Sequence, residues 1–239
     1  GAAFGGLRPI VEFMTWNFAI LAADQIINSA AKMMQMSGGQ YHVPIVFRGG
    51  NGTAGQLGAT HSQSFEAFYA HVPGLKVITP ANPYDAKGLL KAAIRDNDPV
   101  VFLESEKMYG DKGQVPDGEY VLPIGVADVK RKGKDVTIVT FGKILKVVQA
   151  AADELSKEGI EIEIIDLRTI RPIDYNCVIE SVKKTNRLVV VEESWPLASI
   201  SSEIAYWVQR YAFDYLDAPV WRVTQTDTPF PFSPTLLAE

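Results

Sequence analysis

Residues 75–104 read LKVITPANPYDAKGLLKAAIRDNDPVVFLE. Leu75–Thr79 is a short apolar run, the signature of a buried strand. Asn82 and Pro83 then open a helix, with Pro83 suited to the first turn because its missing amide is not needed there. The helix is predicted to run to about Arg95, since Pro99 prevents its continuation. Val100–Glu104 is a second apolar strand. Strands that are apolar throughout, rather than at every other residue, are covered on both faces. Their alternation with helices indicates a mostly parallel sheet flanked by helices.

The same rhythm extends outward in both directions. Upstream, Arg8–Phe13 reads as a strand and Leu21–Met36 as one helix, with Gly38 and Gly39 as its stop signal. Val43–Phe47 is a strand, and Gln63–His71 a helix. Downstream, EKMYGDKGQVPDGEYVLPIG is rich in Gly, Pro and charge and reads as a linker. Beyond it Asp135–Phe141 is a strand. Ile144, Val147, Val148, Ala151, Ala152 and Leu155 form one helical stripe, ended by Gly159. Ile160–Ile165 and Leu188–Val191 are strands, and Ile200–Tyr211 a helix. The expected fold is α/β in two domains, each a mostly parallel sheet flanked by helices. They span residues 1–104 and 126–239, joined by a linker over residues 105–125.

Composition narrows the function classes. The chain has 239 residues, 47% hydrophobic, with a mean hydropathy of +0.03, ordinary for a globular protein with a real core. A net charge of -5 and a pI near 5.3 argue against general nucleic-acid or anionic-membrane binding, which needs a basic face. They permit a basic protein partner. The single cysteine, Cys177, excludes an intrachain disulfide and a cysteine-based zinc site, and reads as a small buried apolar residue. No apolar run reaches the length of a membrane span. The chain starts at GAAFGG without an initiator methionine and stops at LLAE, so it reads as an internal piece of a longer protein.

Four spots carry candidate chemistry. The stretch PIVFRGGNGTAGQLGATHSQ sends a strand into a loop with glycines at 49, 50, 52, 55 and 58 that ends at His61. An imidazole is the side chain poised to exchange a proton near neutral pH. The alternative for His61 is a histidine satisfied by backbone at a helix start. The loop has neither the lysine of a P-loop nor GxGxxG spacing, so its glycines are expected to let backbone approach a ligand or a second subunit. At AAIRDNDPVV, helix-terminal carbonyls meet Asp96 and Asp98. That is either an all-oxygen environment for a hard cation or a plain solvated helix end. Met14, Trp16 and Phe18, in EFMTWNF, lie at the carboxyl end of the first strand, where parallel sheets bind ligands. They could hold a flat heterocycle or pack in the core. DLRTIRPID, residues 166–174, reads as a partner surface or a helix start. GxSxG is absent, and with it the usual serine elbow.

Several long segments, in matching order and spacing, carry a family resemblance. LRPIVEFMTWNFAILAADQIINSAAK, MSGGQYHVPIVFRGGNG, HSQSFEAFYAHVPGLKVITPANPYDAKGLLKAAIRDNDPVVFLE, DLRTIRPID and VVVEESWP together resemble the beta subunits of pyruvate dehydrogenase. Branched-chain 2-oxoacid dehydrogenase beta subunits share HSQ and PGLK-like segments and match less well around MSGG and FRGGNG. The resemblance implies a thiamine-diphosphate pyrimidine-binding domain followed by a transketolase C-terminal-like domain. It implies two beta chains pairing with two alpha chains, and thiamine diphosphate shared between alpha and beta. Magnesium would be held by alpha, which accounts for the missing phosphate loop. Met14 and Phe18 match the positions that pack on the aminopyrimidine ring, and His61 the active-site histidine near the incoming lipoyl group. A potassium ion would lie at Ile45, Ala93, Ile94, Asp96 and Asp98, the last being Asp where relatives often have Asn. The implied activity is pyruvate decarboxylation with reductive acetylation of a lipoyl domain. Further partners would be the lipoyl and subunit-binding domains of the acetyltransferase, in a bacterial cytoplasm or a mitochondrial matrix. The competing reading is a non-catalytic assembly and docking fragment. The family's cofactor-activating glutamate precedes the segment matching GAAFGG, so this chain as it stands is expected not to turn over.

Overall fold

The computed structural model describes residues 1–237. Two five-stranded sheets organise them. In the first, β1 (Ile10–Thr15), β2 (Val46–Gly50), β3 (Lys76–Ile78) and β4 (Val100–Glu104) lie in the order β1-β2-β4-β3, all parallel. In the second, β5 (Asp128–Arg131), β6 (Val136–Thr140), β7 (Ile162–Asp166), β9 (Leu188–Val191) and β10 (Trp221–Val223) take the order β10-β9-β6-β7-β5. Only β5 runs antiparallel there. Central strands are buried on both faces, Val100–Leu103 and all of β7 among them, as helix-covered parallel sheets require.

The first sheet gains its fifth strand from downstream. β8 (Thr169–Arg171) leaves the second unit and pairs antiparallel with β3. This corrects the reading of DLRTIRPID as a partner surface. Its middle is a cross-over strand, and only its last residue, Asp174, starts a helix, accepting a hydrogen bond from the Cys177 amide. The two units share one continuous apolar cluster that includes Trp16, Tyr69 and Val77 from one and Val139, Ile165 and Ile204 from the other. A buried ionic knot also joins them. Asp85 accepts from Lys130 Nζ at 2.7 Å and from Arg168 at 2.6 Å, and Asp128 from Arg168 at 2.8 Å.

The helices divide into those local signals dictate and those they do not. They are α1 (Trp16–Ala19), α2 (Met33–Met36), α3 (Glu66–Ala70), α4 (Pro83–Arg95), α5 (Leu145–Lys157), α6 (Tyr175–Thr185), α7 (Ile200–Tyr211) and a last turn, α8 (Pro234–Leu237). In α4 the Asn82 side chain caps the amide of Asp85, with proline in the first turn. The single helix expected over residues 21–36 is broken. A 3₁₀ turn at Ile20–Ala22 and a π turn at Gln25–Ala30 precede α2. The turn at Gly74 presses on this segment. A Cβ on Gly74 would lie 1.9 Å from the Ala31 carbonyl oxygen, and Lys32 Nζ donates to the Pro73 carbonyl at 2.7 Å. The helix expected from Gln63 starts only at Glu66, because the buried side chains of Asn17 and Asn51 take up the amides of Gln63 and Phe65. Residues 105–125 contain one 3₁₀ turn, Glu106–Met108, and lie along α4, where Tyr120 stacks on Tyr84 with ring centres 4.8 Å apart. No helix among the described residues is long and apolar enough to cross a membrane.

Candidate functional site

The glycine loop is wound around its own chain. A Cβ on Gly49 would meet the Phe13 carbonyl oxygen at 2.3 Å, and one on Gly52 the Glu193 carboxylate at 2.7 Å. Gly49 and Gly52 therefore serve close packing inside the chain, not the approach of a ligand or second subunit expected from the sequence. The first three amides of the loop are also spoken for. Asn51 donates to the Glu104 carbonyl at 2.7 Å, Gly52 to the Gln63 carbonyl at 2.9 Å and Thr53 to Glu193 Oε1 at 3.0 Å. A phosphate cradle needs such amides free.

At the end of this loop the 3₁₀ turn Ala59–His61 delivers the imidazole to the carboxyl end of β1. There β1 bulges: Phe13 pairs with Gly49 and Thr15 with Gly50, and Met14 is left out of the register. Bulges re-aim side chains, and Met14 is 91% exposed. The Thr15 side chain caps α1 by accepting from the Asn17 amide. This single turn buries Trp16 and Ala19 and leaves Phe18 half-exposed. The Phe18 and His61 rings meet edge to face, with centres 5.0 Å apart. Thr60 Oγ1 lies 3.0 Å from His61 Nδ1. Of the sequence candidates, Phe18 and His61 thus come together, and Met14 stands free on the same sheet edge. Trp16 is core, packed at 4.8 Å on Tyr69.

The proposed cation positions also cluster, but with cations already among them. Lys76 Nζ binds Asp96 at 2.6 Å and Asp98 at 3.0 Å. Arg8 donates to the carbonyls of Ile94 at 3.1 Å and Asp96 at 2.6 Å. The Ile45 carbonyl accepts from the Val100 amide and the Ala93 carbonyl from the Asp96 amide. The carboxylates are therefore neutralised by the chain itself. Each carbonyl keeps a second lone pair, a donor set that suits a weakly demanding monovalent ion better than a divalent one.

Between the two units lies a polar pocket that periodicity does not reveal. Asn51 donates to Glu66 at 2.9 Å and accepts from the Phe65 amide at 2.9 Å. Burial, the dominant influence, pushes the Glu66 carboxyl up to about 8. Lys143, from the second unit, contacts Glu193 at 2.7 Å and the Thr53 carbonyl at 2.5 Å, and burial holds its pKa below the usual lysine value. Glu66, Ser105, Lys143 and Glu193 line a cavity of about 20 Å³ between the units, room for one water. The one visible hint was an acid set among aromatic residues in SFEAFY.

Comparison with known proteins identifies the family and the fold. Residues 1–112 match the transketolase pyrimidine-binding domain and residues 125–239 the transketolase C-terminal domain. The chain is 55% identical over 236 residues to the pyruvate dehydrogenase E1 component subunit beta of Rickettsia felis, covering 99% of this chain and 72% of that one. The chain belongs to the pyruvate dehydrogenase E1 beta-subunit family. It is also 58% identical to the family member of Rhizobium meliloti, covering 99% of this chain and 52% of the relative. To the mitochondrial beta-2 subunit of Oryza sativa subsp. japonica it is 56% identical, covering 64% of that protein. It thus spans between about half and two thirds of the length of these last two relatives. A solved split-gene transketolase, described as an inactive beta4 tetramer, shares the fold with a TM-score of 0.80 at 24% identity, covering all of this chain and 74% of the other. The fold expected from the sequence, two units of mostly parallel sheet in a thiamine-diphosphate-related family, is thereby established.

Proposed function

We propose that this chain is part of a beta subunit that decarboxylates pyruvate on thiamine diphosphate and passes the acetyl group to a lipoyl domain, in a tetramer of two alpha and two beta chains, the cofactor-activating glutamate being supplied from outside residues 1–239. The observation carrying this reading is the Phe18–His61 contact at 5.0 Å on the carboxyl edge of a parallel sheet, in a chain of this family. The residues fit the cofactor. Met14 and Phe18 offer an open sulfur and aromatic surface for a flat ring, beside an imidazole able to move a proton. The amides of Asn51, Gly52 and Thr53 are committed and the loop lacks a P-loop lysine and GxGxxG spacing, so the diphosphate and its magnesium would be held by alpha. When bound, the cofactor supplies the carbon nucleophile and the electron sink for decarboxylation.

In this reading Met14 and Phe18 hold and orient the ring and exclude water from its face. His61 holds or transfers a proton at the approaching lipoyl sulfur, help of a kind worth ~10²–10⁴-fold in rate. A potassium ion at the carbonyls of Ile45, Ala93, Ile94 and Asp96, beside Asp98, would brace the end of α4; Lys76 and Arg8 have already balanced the local charge. The subunit-binding domain of the acetyltransferase would dock on the second unit. The test is His61→Ala in the full-length subunit assembled with alpha. Lipoyl acetylation should fall by at least ~10²-fold while cofactor affinity, read by calorimetry, is retained. Acetylation at the wild-type rate would sink the role given to His61.

A further inference from the structure

We infer that Asn17 is the positioning residue that sets the His61 imidazole against the Phe18 ring. Asn17 is 2% exposed and sits beside Phe18 on α1. Its Oδ1 accepts from the Gln63 amide at 3.0 Å and from Gln63 Nε2 at 3.2 Å, while its Nδ2 donates to Thr15 Oγ1 at 2.7 Å. Two donors meet one end of the side-chain amide and a hydroxyl meets the other, so its orientation is determined. The Gln63 carbonyl is held independently by the Gly52 amide at 2.9 Å. Both backbone polar groups of Gln63 are therefore pinned.

Upstream of His61 the chain is permissive. Gly58 has a φ of +78°, and Gly55 has open space where a side chain would be. Upstream, the bonds that hold the chain are few, from the His61 amide to the Gly58 carbonyl and from Gln56 Nε2 to the Phe232 carbonyl, both at 3.2 Å, so the firmer anchor of His61 is at Gln63. Asn17 supplies it. The result is a closed circuit: Phe18 touches His61, His61 leads in two residues to Gln63, Gln63 bonds to Asn17, and Asn17 adjoins Phe18. The segment that would carry the ring-binding surface and the segment that carries the imidazole are locked by a residue that need touch neither substrate nor cofactor.

The inference rests on the proposed role of His61 only for its catalytic consequence, and the test separates the two. The chain has three histidines, and His42 and His71 are exposed and serve as internal references. In the intact protein, the carbethoxylation rate of each by diethyl pyrocarbonate is mapped by peptide mass spectrometry. Asn17→Leu should raise His61 reactivity relative to the references by roughly 5-fold, the change a net hydrogen bond controls. Asn17→Asp keeps the acceptor for Gln63 and should restore the wild-type ratio. Should Asn17→Leu not fold, Thr15→Val, near-isosteric and leaving Asn17 in place, should move the ratio in the same direction by less. A folded Asn17→Leu with an unchanged ratio, an Asn17→Asp that fails to restore it, or an inert Thr15→Val in the absence of a folded leucine variant would each overturn the inference. Altered His61 reactivity with unaltered kcat would support the positioning role and overturn the catalytic one.

Discussion

Two helical segments follow the leading strands of the two units and differ in what they leave uncovered. In the second unit α5 follows β6 and turns Leu145, Val148 and Ala152 into the core. In the first, the broken segment from α1 to α2 follows β1. Just past the carboxyl end of β1 it leaves Leu21 89% exposed, following Met14 at 91% and the half-exposed Phe18. A helix that satisfies its own periodicity closes its unit. A segment that does not keep one helical period leaves apolar side chains at the carboxyl edge of its sheet, and apolar surface gathered there marks a binding face. On the function proposed above, the first unit carries half of a site and the second holds it in place.

If that division holds, the largest effects come from cutting the tie between the units. Asp85 is fully buried and sits between Lys130 and Arg168. Asp85→Leu strands two buried cations and should cost about 3–5 kcal/mol, at the lower end because Asp128 still reaches both. Urea unfolding should show the loss and a broadened or split transition as the units uncouple. A single transition at the wild-type midpoint would show that the apolar cluster alone joins them. Next in size is Leu145→Ala, which opens a cavity under α5 and should cost about 3 kcal/mol, read by the same titration.

These same contacts mark where the sequence could be read and where it could not. α4, β4, α7 and most of α5 were legible because caps, prolines and apolar stripes act within a few residues. α6 was legible only as a helix start, because its inner face is partly polar: Ser181 and Thr185 are buried there and meet Thr137 Oγ1, each at 2.6 Å. No hydropathy period reports a polar face matched across space. β8 was misread because its partner, β3, lies far back in the chain. In the site, His61 and Phe18 were visible as residue types in place. Asn17, Asn51, Glu66 and Lys143 were not, since each acts through bonds to another segment.

A smaller effect should appear with pH. Glu66 titrates near 4.5 when unfolded and about 8 when folded, chiefly because of burial. Between those values the folded state holds a proton the unfolded state has released, so rising pH costs stability until about pH 8. Glu66→Gln is neutral throughout and escapes this. Its stability relative to wild type should rise across the window by at most about 1.4 kcal/mol per pH unit. Urea titrations of both proteins at pH 5, 6, 7 and 8 check the sign. Parallel profiles would mean that the cavity between the units hydrates Glu66 well enough to leave it ionised.

The smallest effect discriminates best between the two units. Met14 and Leu145 are both large apolar residues beside a strand's carboxyl end, yet one is exposed and the other in the core. Truncating Met14 removes surface that water already covers, so Met14→Ala should change unfolding free energy by less than about 0.5 kcal/mol, against about 3 for Leu145→Ala. If Met14 belongs to a ring-binding face, the same substitution should still weaken thiamine diphosphate binding in the assembled protein, measured by calorimetry. Stability is read on the isolated chain and affinity on the assembly, so the two numbers are independent. A Met14→Ala chain that loses stability like the Leu145 variant would place Met14 in a core of its own and remove the reason to treat this sheet edge as half of a shared site.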